Sequence, residues 1–176
     1  MSLVKTTLAS INQMQADGII GKYAIGGAVG ATFYLEPAAT LDLDVFVTLP
    51  SESGGPLISL ASVYDYLTAR GGRVQDECIV IGEWPVQFLT PTDELEREAL
   101  EDAVATNVEG VPTWVMPAEH LVAIALRVGR RKDHSRILQF LEQDAVEVKN
   151  LETLLERHRL TSKWRDFQRR YLKDTE

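Results

Sequence analysis

The sequence predicts a mixed α/β (α+β) protein: a small mixed sheet with flanking helices, followed by a C-terminal helical bundle. Three observations lead there. Short apolar runs with period two recur up to residue 116. From Pro117 onward the apolar spacing is wholly helical. Glycine pairs and prolines separate the segments before that point. The reading divides the chain into an α/β region, 1–116, and a helical region, 117–176, packed on it.

The elements follow in order. Leu3, Val4, Leu8, Ile11 and Met14 recur at helical spacing, and Ala16-Asp17-Gly18 stops the helix. Lys22 to Ile25 is a short strand ending at Gly26-Gly27. Ala28 to Leu35 is a second helix, ended by Glu36-Pro37 because the residue before proline avoids helical torsions. Leu41 to Leu49 is the clearest strand: Leu41, Leu43, Val45 and Val47 share one face, and Asp42, Asp44, Phe46 and Thr48 the other. PSESGGP, 50–56, is a loop by composition. Leu57 to Ala69 is a third helix, broken by Gly71-Gly72. Cys78 to Ile81 and Pro85 to Leu89, separated by Gly82-Glu83-Trp84, form a hairpin. Thr92 to Val104 is an acidic helix with Thr92 as its cap. Glu109-Gly110 is a turn between short strands within 108–116. Four helices complete the chain at 118–129, 132–143, 147–158 and 161–172. Trp164, Phe167 and Tyr171 form a stripe that serves as core.

Composition narrows the function classes. The 176 residues are 45% hydrophobic and 25% charged, as in ordinary globular proteins. No apolar run reaches the roughly 18 residues of a membrane span, and the N-terminus lacks a signal-peptide pattern. One cysteine, Cys78, precludes an internal disulfide, so a reducing cytoplasm is the simplest location, and Cys78 reads as a core residue. The net charge of −8 is unevenly spread. Residues 1–116 hold 5 Lys+Arg against 16 Asp+Glu; residues 117–176 hold 13 against 10. An acidic half able to hold a divalent cation, followed by a basic half, suits an anionic substrate between them. Solvated outer helix faces explain the same asymmetry.

Asp42 and Asp44 are the sharpest chemical feature. Two residues apart on a strand, they project to one face, roughly 6–7 Å apart along the backbone. Carboxylates so placed repel unless one is protonated or a cation lies between them. A hard divalent cation, Mg²⁺ or Mn²⁺, is the natural partner. An exposed edge strand with two acidic positions is the plainer alternative. Gly26-Gly27 closes one strand and opens a helix, where backbone can approach phosphates closely. A tight ligand-free turn has the same composition. Taken together, glycines and carboxylates would bring phosphates and metal side by side.

These residues resemble a known family. Ile25-Gly26-Gly27, then Asp42-Leu43-Asp44-Val45, is similar to the signature of the DNA-polymerase-β-like nucleotidyltransferase superfamily. The string YAIGGAVGATFYLEPAATLDLDVFV looks closest to the bacterial branch of AbiEii-type toxins and their uncharacterised relatives. Glu119-His120-Leu121, then Arg130-Arg131-Lys132-Asp133 and Ile137-Leu138, resemble that branch's later helices. The resemblance implies transfer of a nucleoside monophosphate from a nucleoside triphosphate to an acceptor hydroxyl on RNA such as tRNA, on a protein or on a small molecule. It implies metal at Asp42 and Asp44, and nucleotide at Gly26, Gly27, Thr40, Arg127, Arg130 and Lys132. It also implies a toxin–antitoxin setting with an antitoxin protein as partner. No membrane is implied, and the oligomeric state is not addressed.

The departures from that pattern define a second reading. The superfamily's third carboxylate would fall in Val86-Gln87-Phe88-Leu89, where Gln87 offers an amide that cannot take a proton; Glu83, Glu77 and Asp76 are the possible substitutes. The branch's helix lysine aligns with Ala125, and its basic residue before Asp-x-Asp with Ala38-Ala39. A catalytically degenerate fold that binds nucleotide, RNA or protein is the alternative. The basic cluster at 127–132 also reads as a solvated helix junction, with Asp133 pairing one of its arginines. His120, His134 and His158 lie on separate helical stretches without metal-ligand spacing and read as surface or packing residues.

Overall fold

Helical spacing in the first residues does what it predicts. In the computed structural model, which describes residues 3–36, 42–50 and 59–173, α1 (Leu3–Ala16) buries Leu8, Ile11 and Met14. It ends at Gly18, whose left-handed φ of 77° lets the Ile19 N–H reach back to the Met14 carbonyl. The chain continues through β1 (Tyr23–Ile25), α2 (Gly27–Ala31) and β2 (Leu43–Val47). α2 is shorter than the Ala28–Leu35 helix read from composition. Thr32, Phe33 and Tyr34 donate to carbonyls three residues back, a tighter winding that ends the α-helix early.

α3 (Ala61–Thr68), β3 (Arg73–Gln75), β4 (Cys78–Ile81) and β5 (Trp84–Leu89) follow. β3 carries no apolar signature because all three of its residues are exposed at a sheet edge. α4 (Glu94–Glu101) is capped by Asp93, whose carboxylate accepts from the Glu96 N–H. Thr92 has another role: its N–H and hydroxyl both donate to Glu96 Oε2. Val104 opens β6 (Val104–Val108), which turns at Glu109-Gly110 into β7 (Val111–Val115). Then come α5 (Ala118–Val128), α6 (Arg131–Glu142), α7 (Val148–Arg157) and α8 (Thr161–Tyr171). The loop at 50–56 and Ala38-Ala39 fall mostly or wholly outside the described residues.

The strands form one seven-stranded mixed sheet, ordered β3-β4-β5-β2-β1-β7-β6. β1 and β2 run antiparallel with Ile25 opposite Val45. β2 and β5 run parallel with Asp44 opposite Gln87. Alternation in β2 sets the two faces. Leu43, Val45 and Val47 are fully buried in a core shared with α1 and α3. Phe46 enters a second core with Ala24, Met116, Leu121, Ile137 and Phe140. Trp164 and Phe167 stack at 5.6 Å and complete that core, as their stripe predicts. Asp42 and Asp44 therefore point to the side covered by the C-terminal helices. Among the described residues no helix is long and apolar enough to cross a membrane.

Candidate active site

Two glycines and one carboxylate meet where β1 ends beside the start of β2. The Gly26 N–H donates to the Asp44 carbonyl at 3.0 Å. A Cβ on Gly26 would press on the Phe46 ring and the Met116 sulfur, so this glycine is required for packing. Gly27 differs. Its φ is 58°, and a Cβ there would lie 3.1 Å from Asp44 Cγ and closer still to Oδ2. The bare Gly27 backbone thus forms the floor beneath the Asp44 carboxylate. Gly26 and Gly27 both lie against Asp44.

Asp44 is half-buried and Asp42 exposed. Burial pushes the Asp44 carboxyl above its ordinary range, and the neighbouring Asp42 charge adds to that; Arg136, Arg130 and Lys132 oppose it. An acid disfavoured by both desolvation and a like charge gains from a cation beside it. The chemistry fits a hard divalent ion: two carboxylates on one face, and a glycine cradle that a side chain would fill.

Gln87 is paired directly beside Asp44 in the sheet. Its amide donates to Glu77 Oε2 at 3.5 Å. Glu77 reaches this position because Asp76-Glu77 forms the two-residue turn between Gln75 and Cys78, with Asp76 at a left-handed φ of 53°. Cys78 is half-buried, not a core residue. Burial raises its thiol, and the charges of Asp42, Asp44, Glu77 and Asp76 raise it further. Glu83 lies in the turn that follows Ile81, at the other end of β4 from Glu77.

The opposite wall is α6. Lys132 and Arg136, four residues apart on one helical face, both act on Asp44. Arg130 caps α6, and its guanidinium makes two hydrogen bonds to Asp133, at 2.7 and 3.2 Å. Arg136 lies 3.6 Å from the same carboxylate. Burial alone would raise Asp133; hydrogen bonds from the Arg130 side chain and backbone, and the charges of Arg130 and Arg136, outweigh it and hold Asp133 below the usual range. Arg127 is engaged elsewhere. It binds Asp93 and, at 2.9 Å, Glu96, joining α5 to the start of α4. Ala125 is buried in the core. Thr40 lies outside the described residues. Sequence reading passed over Arg136, although the Lys132–Arg136 spacing marks it.

No family model matches the sequence, and no curated protein matches it. Solved structures do. The chain has a nucleotidyltransferase-like fold. It is similar to the antibiotic-resistance factor ANT(2'')-Ia in solution, with a TM-score of 0.55 and 16% identity over 97% of this chain and 98% of that one. A crystal structure of ANT(2'')-Ia in complex with adenylyl-2''-tobramycin gives 0.54 and 16%, over 92% and 97%. An antigenic nucleotidyltransferase-like protein from Paracoccidioides brasiliensis gives 0.58 and 16%, over 91% of each chain. At such identities the likeness establishes the fold.

Proposed function

We propose that the protein transfers a nucleoside monophosphate from a nucleoside triphosphate to an acceptor hydroxyl, at a site built on Asp42 and Asp44. The observation that carries this is the Asp44 carboxylate seated over Gly27 and beside Gln87, within electrostatic reach of Arg136, Arg130 and Lys132. Asp42 and Asp44 hold Mg²⁺ or Mn²⁺, which supplies charge neutralisation at the triphosphate and acidifies the acceptor hydroxyl. Residues 1–116 provide the carboxylates and glycines; residues 117–176 provide the cations. Lys132 and Arg136 orient the triphosphate oxygens and offset the charge that builds on the leaving pyrophosphate. Gly27 leaves room for the Asp44 carboxylate, which any side chain there would displace. Glu77 stands in for the carboxylate that Gln87 lacks and accepts the acceptor's proton. The acceptor oxygen bonds to the α-phosphorus as the bond to the β-phosphate breaks, and pyrophosphate leaves.

The acceptor is taken to be a small polar molecule. Support comes from ANT(2'')-Ia, of closely similar length and solved with an adenylylated aminoglycoside, and from the acidic lining of Asp42, Asp44, Asp76 and Glu77, which suits a cationic acceptor. The AbiEii-type reading places RNA in that role and an antitoxin protein beside the enzyme. The single cysteine supports a reducing cytoplasm. An α-labelled nucleoside triphosphate, Mg²⁺ and a panel of aminoglycosides, tRNA and protein separate the acceptors. Wild type should label a small molecule, and Asp42→Asn with Asp44→Asn should not. Label on tRNA favours the toxin branch. Gln87 favours one second reading, a binding module; tight nucleotide binding without label on any acceptor establishes it.

A further inference from the structure

A second cluster of ionisable groups shares no residue with the site above. Glu98 lies in the last turn of α4 and Asp102 is that helix's C-cap. His120 lies in the first turn of α5, and His158 caps the end of α7. Three segments far apart in sequence thus converge. His120 is 7% exposed, and neither of its ring nitrogens has a hydrogen-bond partner among the described residues. A buried polar atom left so costs about 1–3 kcal/mol, so it signals a missing partner. Its Nε2 points at two carboxylate oxygens, 3.4 Å from Glu98 Oε2 and 3.9 Å from Asp102 Oδ2. His158 Nε2 hydrogen-bonds the same Glu98 oxygen at 2.5 Å.

One of these separations matches a particular geometry. Ligand atoms about 2.0–2.1 Å from a tetrahedral ion are about 3.3–3.4 Å from one another. The His120–Glu98 separation already has that length. We propose that Glu98, Asp102 and His120 bind Zn²⁺ or a chemically similar borderline divalent cation, with water completing the tetrahedron. An imidazole with two carboxylates suits such an ion better than the oxygen-seeking Mg²⁺. His158 keeps its hydrogen bond to Glu98 and steadies that carboxylate from outside the ligand set. Arg157 bonds the other Glu98 oxygen, Oε1, which holds the carboxylate in place and leaves Oε2 to the metal. A cavity of about 460 Å³ lined by Glu98, Arg157 and His158 lies on the Glu98 side of the cluster. The site ties α4 to α5.

The test uses the full chain after chelator treatment, titrated with Co²⁺ and read by its visible ligand-field absorption. A single equivalent should give the spectrum of a low-coordinate nitrogen–oxygen site, Zn²⁺ should displace it, and Zn²⁺ should raise the melting temperature. Asp102→Asn, at a largely exposed side chain, should weaken binding by at least about tenfold, and His120→Asn should abolish the spectrum. Asp42→Asn with Asp44→Asn should leave it intact, which separates this site from the nucleotide site. Absence of the spectrum in wild type overturns the proposal, as does binding that persists unchanged in Asp102→Asn.

Discussion

Gly27→Ala isolates the contact on which the nucleotide site rests. The added methyl would sit 3.1 Å from Asp44 Cγ, and closer to Oδ2, whereas carbon pairs are comfortable at about 3.5–4.0 Å. Asp44 must therefore swing away from the site or the β1–α2 turn must move. The left-handed φ of 58° adds about 1–2 kcal/mol for any residue with a Cβ. Gly18→Ala supplies the control: its φ is 77°, and nothing lies within 4 Å of the new methyl. Each kcal/mol lowers the melting temperature of a domain this size by about 2–4 °C, so Gly18→Ala should melt about 2–8 °C below wild type with full activity. Gly27→Ala should lose at least as much stability. A displacement of about 1 Å at a reacting group costs about a hundredfold in rate, so it should also lose about a hundredfold or more in nucleotide transfer. Thermal unfolding followed by spectroscopy and the labelled-transfer assay measure the two effects. Wild-type transfer by Gly27→Ala would refute the assignment of Asp44 to the reacting centre.

Glu77→Gln should slow transfer by about 10²–10⁴-fold, and Gln87→Glu in that background should restore part of it by returning a carboxylate to the paired strand; a Glu77→Gln rate equal to wild type leaves Glu77 a turn residue only. Arg136→Gln should weaken Mg²⁺–nucleotide binding about 10–100-fold, while Arg127→Gln should lower the melting temperature and leave nucleotide affinity alone; calorimetry that finds equal affinity losses contradicts this division. Asp133 is 1% exposed and its folded pKa is depressed. Its contribution is therefore present above the ordinary carboxylate pKa of about 3.9 and is lost as pH falls through the lower folded value. Asp133→Asn should cost about 3 kcal/mol at neutral pH and flatten the acid side of the denaturant-stability profile; an unchanged acid limb assigns that limb to other groups.

Local pattern made much of this visible. The alternation Leu43, Val45, Val47 against Asp42, Asp44, Phe46 forces two carboxylates onto one face whatever surrounds them, because strand side chains alternate with period two. The Gly82-Glu83 and Glu109-Gly110 turns, the four C-terminal helices and the Trp164–Phe167 stripe are likewise written in short-range spacing. β3 was invisible because an exposed three-residue edge strand has no apolar period, and α4 ended before its pattern did because Val104 pairs with Val115 across a sheet.

The sequence by itself determined that Gly26-Gly27 closes one strand and that Asp42-x-Asp44 opens the next, with its carboxylates to one side. Tertiary structure alone decided what stands around them. The order β5-β2-β1 set Gln87 against Asp44, and the turn at Asp76 brought Glu77 to Gln87. Docking of α6 brought the charges of Arg136, Arg130 and Lys132 within electrostatic reach of Asp44, while docking of α5 on α4 drew Arg127 away to Asp93 and Glu96. The same docking gathered His120 and His158 about Glu98. Periodicity reports which face a residue takes on its own element; which distant element that face meets is fixed only when the sheet order and helix packing bury the two cores together.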